Sequence, residues 1–553
     1  MSYLSPEYLE DLTVRLCSIP SVSGNSSEEN RCADAIAGEL KKIAGGSLNP
    51  LSVELVPCVQ DSLGRNAVLG LLKAAVPTQR TVLLTGHFDV VSTEVCGPLA
   101  KDAFDLKHFD KALLKYGISD SIRQEMQSGD WLFGRGSMDM KAGLALFIAA
   151  IGDLAADPAL AVNILFLAVP DEEANSAGMR GALPALVNCI EENSLEVVAG
   201  LTGEPCFWTQ PAGESKGFRP YYTGTTGKIM PAFLVIGAEA HVGCYYDGMS
   251  AALVLAQIVC RMEANSALLE AVDGDVLSPP ACLYMQTRRS VYSVTLPEKG
   301  AAYFNVLTVR KTPKDVLDIC VSVAKEAAAA AEQQLRKGAD DYEKAGGDAK
   351  EIPSVRVLTA DEVRSMAVQN AGGEPFFSLK EKQFLDQQPS ELDARELSLR
   401  TMEFWAEEAR IHGPAVLVGF VPPFYPSRIN KRSTPNERRL RAVMEEMTVK
   451  SGKLAGDGAV RLTEVFGGIT DLSFLGFDGS LDDIEALRKN MPAWGPGYWI
   501  PVDDLLKLDV PIANMAGAGK DAHKATERLE KRFSFTVAPK LLLETIEKLS
   551  ERS

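Results

Sequence analysis

Positive charge is in short supply in this sequence: 57 Lys and Arg face 74 Asp and Glu, a formal net charge of −17. A nucleic-acid partner calls for a basic face and an anionic membrane attracts polybasic segments, so the balance argues against both. Long apolar runs are missing too. A membrane helix needs about 20 apolar residues, and the most apolar stretch, Ala142 to Ile151, is bounded by Lys141 and Asp153. The opening residues, MSYLSPEYLEDL, show neither the basic n-region nor the apolar h-region of a secretion signal. The ten cysteines form no C-x-x-C pair and none lies beyond Cys320. Without a secretion signal they read as reduced thiols, and the expected location is cytoplasmic. No internal repeat is evident. Histidine is scarce as well, five in 553 residues, yet His87, His241 and His523 fall in the motifs that carry the chemistry.

What is present is the balance of a soluble globular protein, 46% hydrophobic and 24% charged. At 59.6 kDa the chain exceeds the size at which one hydrophobic core stops growing, so two or more domains are expected. Residues 5–43 give an amphipathic helical pattern broken by the loop IPSVSGNSSEEN, with Ser26 or Ser27 as the N-cap of the second helix. Thr81–Leu84 predicts a strand ending at His87, and VNILFLAVP reads as a strand of the parallel-sheet kind. Between them, residues 92–130 predict a polar insertion with a helix over KHFDKALLKYG, followed by the buried helix KAGLALFIAAIGDLAA. LEVVAGLTGEP repeats the strand-then-acid arrangement. Strands alternating with helices point to an α/β sheet whose strand ends carry a site. After about residue 216 the order becomes β-α-β-β-α, with SVYSVTLP and AAYFNVLTVR as strands, an α+β texture. The expectation is a catalytic domain in two parts, 1–216 and 429–553, interrupted by an inserted domain at 217–428.

Five short segments hold the ligand-type residues: GHFDVV (86–91), GRGSMDMKAG (134–143), PDEEANSAG (170–178), TGEP (202–205) and GKDAHKATER (519–528). Imidazole and carboxylate are the donors that borderline divalent metals take. His87 and Asp89 stand two apart at a strand end, so in extended geometry both face the same way. One can hold a metal while the other orients the imidazole. Asp139 can bridge two cations with its two oxygens, or simply cap the following helix. Glu172 and Glu173 follow an apolar strand, where two adjacent carboxylates need something positive between them. One on a metal and the other on a water gives each a task; read alone, DEE is equally an acidic loop. Glu204 and His523 are further candidates, whereas His108 and His412 read as structural.

GDWLFGRGSMDMKAG and IPSVSG resemble the central signature and N-terminal loop of the metallopeptidase and deacylase superfamily known as M20, which includes acetylornithine deacetylase, succinyl-diaminopimelate desuccinylase and the aminoacylases. Length and the phrases TGTTGKIMPAFLVIGAEAHVG, VGFVPPFYP and GKDAHKATER are most similar to its arginine-utilisation, RocB-like group. The resemblance implies an α/β, zinc-peptidase-like catalytic domain with a mainly parallel mixed sheet and an inserted α+β lid. It implies two zinc ions bridged by Asp139, with His87 and Glu204 completing one shell and Glu173 and His523 the other. Glu172 would be the general base, Asp89 would orient His87, and His241 on the lid would steady the oxyanion. Arg310 is a candidate for a substrate carboxylate, and GGITDLS resembles a pocket-lining loop with Thr470 as contact. The Asp139–Met140 bond is expected to be cis. Two departures stand out: His87 and Asp139 lie 52 residues apart, longer than the family habit, and the insertion, about 210 residues, is roughly double the usual lid.

The expected function is two-metal hydrolysis of an amide in a small peptide or N-acyl amino acid, in arginine or amino-acid catabolism. A metal-binding pseudoenzyme is the alternative, and it need not keep Glu172. A metallophosphoesterase is disfavoured because Arg and Lys clusters for phosphate are missing near the motifs. The ligand set also suits manganese or cobalt. A homodimer is expected because the helix MSAALVLAQIVCRM beside His241 is apolar enough to need cover; the alternative is a monomer in which residues 338–428 stand in for the partner.

Overall fold

Strands that are apolar at nearly every position can only be satisfied with both faces covered, and the chain has three in succession. Arg80–His87 lies between Asn163–Val169 and Glu196–Thr202 in parallel register. In the computed structural model, which describes residues 2–210, 217–289, 291–389, 392–456 and 459–551, these three form the centre of an eight-stranded mixed sheet. Its order is Leu51–Pro57, Asn66–Leu72, Asn163–Val169, Arg80–His87, Glu196–Thr202, Ile512–Asn514, Arg219–Tyr222 and Val460–Thr463. Helices Pro6–Cys17, Ser26–Gly46, Lys141–Ala155 and Ala538–Ser550 share one hydrophobic core with it.

Register decides what the sheet presents. His87 pairs with Val169, the residue before PDEE, and Thr85 pairs with Thr202, two residues before Glu204. The ligand-type residues therefore leave the same, carboxyl-terminal edge of the sheet, where open α/β sheets carry their sites. A four-stranded sheet, Trp131–Phe133, Arg528–Glu530, Ala518–Lys520 and Cys206–Phe207, gathers the remaining segments. Each of its strands adjoins a loop of the site. Glycine makes one approach possible: a Cβ on Gly143 would come within 2.1 Å of the Gly203 carbonyl oxygen. No other residue lets the helix after Asp139 lie this close to the backbone before Glu204.

The chain divides into two compact units, Met1–Thr226, Arg428–Phe477 and Pro501–Ser553 in the first, Gly227–Ser427 and Asp478–Ile500 in the second. This differs from the sequence expectation at two places. Strand Arg219–Tyr222, placed by sequence in the insertion, belongs to the eight-stranded sheet. Residues 478–500, placed in the second catalytic part, belong to the second unit, where Asn490 Oδ1 accepts the Asp361 N–H and Tyr498 Oη donates to the Phe424 carbonyl at 2.5 Å.

The second unit is built on a six-stranded sheet, ordered Gly227–Ile229, Lys299–Thr308, Pro231–Ile236, Ala415–Phe420 and Arg356–Thr359, with Ala281–Thr287 on the free side of Lys299–Thr308. Alternation along Pro231–Ile236 splits the two faces. Ala232, Leu234 and Ile236 join a core with Val363, Phe377, Met402 and Trp405 from helices 360–408, while Phe233 meets Phe304 edge to face. SVYSVTLP is not a strand: Ser290 lies outside the described residues, and Val291 and Tyr292 are exposed irregular chain. The strand is ACLYMQT, residues 281–287. In the first unit, Asn25 rather than Ser26 or Ser27 takes the N-cap position of its helix. The 92–130 insertion carries a second helix, Asp120–Ser128, besides Phe109–Leu113.

Candidate metal centre

His87 ends a buried strand and is itself 1% exposed. Its Nδ1 faces the Asp89 carbonyl at 3.0 Å and the Asp89 carboxylate at 3.5 Å. That leaves Nε2 for the site, 3.3 Å from Asp139 Oδ1 and 3.5 Å from Glu204 Oε1. On the other side of Asp139, Oδ2 lies 3.2 Å from His523 Nε2, which is 3.1 Å from Glu173 Oε1. Two ligand groups result, His87–Asp139–Glu204 and Asp139–Glu173–His523, each with its donor atoms within 4.8 Å of one another. They share Asp139 and nothing else. The Asp139–Met140 bond is cis.

Glu172 stands outside both groups, its Oε2 3.9 Å from His87 Nε2. Its loop is fixed from two directions. Asp89 accepts the backbone N–H groups of Glu172 at 3.0 Å and Glu173 at 3.2 Å, and the Ser23 hydroxyl at 2.6 Å. Arg65, buried, pairs with Glu29, Asp61 and Asp171, and Asp171 in turn accepts the Ala177 N–H at 3.0 Å. Asp171 (φ 72°), Ser176 (φ 50°), Asp521 (φ 60°) and His523 (φ 66°) all adopt left-handed backbone, a conformation unfavourable for side-chain-bearing residues that surrounding structure must impose.

The electrostatics are those of too many carboxylates in too little water. Burial, reinforced by neighbouring carboxylates, drives Glu172 well above the usual range, and it raises Glu173. Burial likewise pushes Glu204 up to about 7, with His87 opposing. Burial works against a charged His87, but Glu204, Asp139 and Asp89 outweigh it and raise its pKa. Hydrogen bonds to Asp139 and Glu173 take His523 up to about 10. Burial resists ionisation of Asp139 as well, yet the two imidazoles hold it below the ordinary carboxylate value. Each ligand group thus joins one imidazole to two carboxylates, a donor set that suits a borderline divalent cation. A cation also supplies the positive charge these buried carboxylates call for.

Three residues escaped the sequence reading. Asp471, next to Thr470, is buried and pushed up to about 7 by burial, with Ser176 and His87 opposing. Glu527, four residues after His523, is 1% exposed and accepts the Met138 and Asp139 N–H groups. The third is Arg65, with its cluster of carboxylates. Asp471 and Glu527 lie within the motifs GGITDLS and GKDAHKATER; Arg65 lies in none. Thr470 is fully buried, its hydroxyl without a hydrogen-bond partner among the described residues. His241 and Arg310 belong to the second unit and are exposed there, His241 Nδ1 accepting the Gly243 N–H at 3.0 Å. His108 and His412 are exposed and lie in neither ligand group.

Comparison with known proteins shows the family and the fold. The sequence profile of Peptidase family M20/M25/M40 matches residues 83–476. The RocB protein of Bacillus subtilis (strain 168) is 29% identical over 552 residues, covering 99% of this chain and 95% of its own. The YqjN protein of the same organism is 32% identical over 555 residues, covering 100% and 98%. Among solved structures, the M20 family metallo-carboxypeptidase Sso-CP2 from Sulfolobus solfataricus has a TM-score of 0.54 at 13% identity, covering 98% of this chain and 99% of its own. At that identity the likeness is one of fold. With the profile spanning well over half of the sequence and a relative above 30% identity aligned along nearly its whole length, the chain belongs to peptidase family M20/M25/M40 and is a metal-dependent hydrolase of amide bonds.

Proposed function

We propose that the chain cleaves the amide of a small peptide or an N-acyl amino acid, derivatives of arginine and ornithine included, with two divalent ions. Zinc is the first choice, and cobalt or manganese the substitutes. One observation carries the reading: Asp139 is shared by two groups that each pair it with an imidazole and a second carboxylate. His87 and Glu204 would complete the hold on one ion, Glu173 and His523 on the other. When bound, such ions supply Lewis acidity and make hydroxide available near neutral pH.

The remaining steps belong to side chains. Glu172, in neither ligand group, takes a proton from the attacking water and returns it to the leaving nitrogen. Its burial, which favours the protonated carboxyl, suits a group that must hold that proton between the two transfers. Asp89 fixes the His87 ring through Nδ1 and keeps Nε2 directed at its ion. His241 steadies the oxyanion, Arg310 receives a substrate carboxylate, and Thr470 lines the pocket. The first unit carries catalysis and the second serves as lid and dimerisation unit, in a cytoplasmic protein.

The support for a homodimer shifts from one element to another. The apolar face of helix Ala251–Met262 is already covered within its own unit. The strand Ala281–Thr287, by contrast, lies at a sheet edge with Leu283 54% and Met285 48% exposed, an edge of the kind that pairs with another chain.

The test is hydrolysis by zinc-loaded full-length chain of a panel of dipeptides and N-acyl amino acids, arginine and ornithine derivatives among them. The expected result is turnover of at least one class, lost with a chelator and restored by the ion. A protein holding two ions that cleaves none of the panel contradicts the proposal.

A further inference from the structure

We infer that Glu527 is a positioning residue that governs uptake of one of the two ions, the one held by Asp139, Glu173 and His523. The inference rests on the two-ion reading and adds an asymmetry to it.

Glu527 is in neither ligand group, yet it touches the loop of Asp139, which the two groups share, and the turn of His523, which only the second group has. Its Oε1 accepts the N–H of Met138 at 3.2 Å and, more weakly, that of Asp139 at 3.4 Å. Its own carbonyl accepts the Gly134 N–H at 3.1 Å. It also closes the His523 turn, its N–H donating to the Lys524 carbonyl at 3.3 Å. A single buried side chain therefore ties the loop that presents Asp139 to the turn that presents His523. The other group has separate supports: His87 is held by its strand and by Asp89, and Glu204 follows the Gly143–Gly203 approach.

The charge of Glu527 is spoken for. Its Oε2 pairs with Arg135 Nη1, and Arg135 is 3% exposed, with Nε and Nη2 lacking hydrogen-bond partners among the described residues. The pair is close to neutral as a whole, so Glu527 contributes position rather than an additional negative charge. Removing Glu527 alone would strand a buried guanidinium and confuse a loss of position with a loss of fold.

The experiment compares two double variants in the full-length chain, Arg135→Met with Glu527→Gln and Arg135→Met with Glu527→Leu. Both remove the ion pair; only the glutamine keeps an oxygen for the two amides. Each protein is stripped with a chelator and titrated with zinc by calorimetry, with metal content checked by elemental analysis. The first ion should bind alike in all three proteins, within about threefold. The second should bind the glutamine variant near wild-type strength and the leucine variant about 10- to 100-fold more weakly, the range for loss of a group supporting a ligand. Equal second-ion affinity in the two variants overturns the inference, as does equal weakening of both ions in the leucine variant. A wild-type chain that takes up fewer than two ions counts instead against the two-ion reading.

Discussion

The two ligand groups share Asp139 but are built from different materials. His87 and Glu204 belong to the sheet: one ends a buried strand and the other lies two residues past the end of the neighbouring strand. His523 and Glu173 belong to loops, and the His523 side chain is 51% exposed where that of His87 is 1% exposed. Packing fixes the first pair. The second depends on polar ties, Asp89 to the Glu173 amide and Glu527 across to Asp139. The lesson is that two ligand groups of like composition can rest on an asymmetric scaffold, one half set by the sheet and the other by loops.

The strongest way to test the comparison is through the residue outside both groups. Glu172→Gln should lower kcat by about 10²- to 10⁴-fold, the usual worth of a general base, while elemental analysis finds the metal content unchanged. Loss of metal in that variant would make Glu172 a ligand and dissolve the division of roles. A smaller effect separates the groups directly. His523→Ala removes a half-exposed ring bonded to Asp139 and Glu173, so it should lower the melting temperature of the metal-free chain less than the loss of the fully buried His87 does, and weaken one ion. His87→Ala opens a buried gap, so it should lower the melting temperature of the metal-free chain as well as weaken an ion. Equal melting temperatures for the two variants would erase the contrast. Gly143→Ala attacks the half set by the sheet from behind: a Cβ 2.1 Å from a carbonyl oxygen forces the backbones apart. Overpacking of this kind costs about 1–3 kcal/mol, measurable by denaturant unfolding, and weakening should fall on the ion held by His87 and Glu204.

The smallest effect is on pH. In metal-free protein, burial first of all pushes Glu204, Asp471 and Glu527 up to about 7, against about 4 for such groups in an unfolded chain. A pKa raised on folding gives stability that is present below the unfolded value and lost as pH rises through the folded one. The melting temperature in chelator should therefore fall from about pH 4 to pH 7. Zinc should remove the part of that fall due to Glu204. His523, raised to about 10, extends the loss in the same direction above pH 6.5. A melting temperature in chelator that rises across the lower window would contradict the burial argument.

Much of this was legible in the sequence because the ligand residues sit at ends of strongly apolar strands. Val82–Leu84 and Ile164–Val169 could be nothing but buried strands, and the residues next in the chain had to emerge at one edge. His87, Glu172 and Glu173 were readable for that reason, whereas Asp139 lies in a glycine-rich loop before a buried helix and took its role from the family resemblance. Other features had no local signal. ACLYMQT alternates weakly, with Leu283 and Met285 outward, while SVYSVTLP has the β-branched composition of a strand, yet its Val291 and Tyr292 are exposed irregular chain. Helices Ala360–Ala371 and Glu374–Asp386 escaped the sequence reading. The return of residues 478–500 to the second unit depends on long-range contacts such as Tyr498 with Phe424, which no window of sequence contains. Arg65 was invisible for the same reason, its partners Glu29 and Asp171 lying 36 and 106 residues away.

The most direct measurement is a crystal structure of the zinc-loaded chain with anomalous data collected at the zinc edge. Two peaks are expected on either side of Asp139, about 3.5–4 Å apart as in two-metal hydrolases, one against His87 and Glu204 and the other against Glu173 and His523. A single peak in saturating zinc, or two peaks not bridged by Asp139, would contradict the two-ion reading.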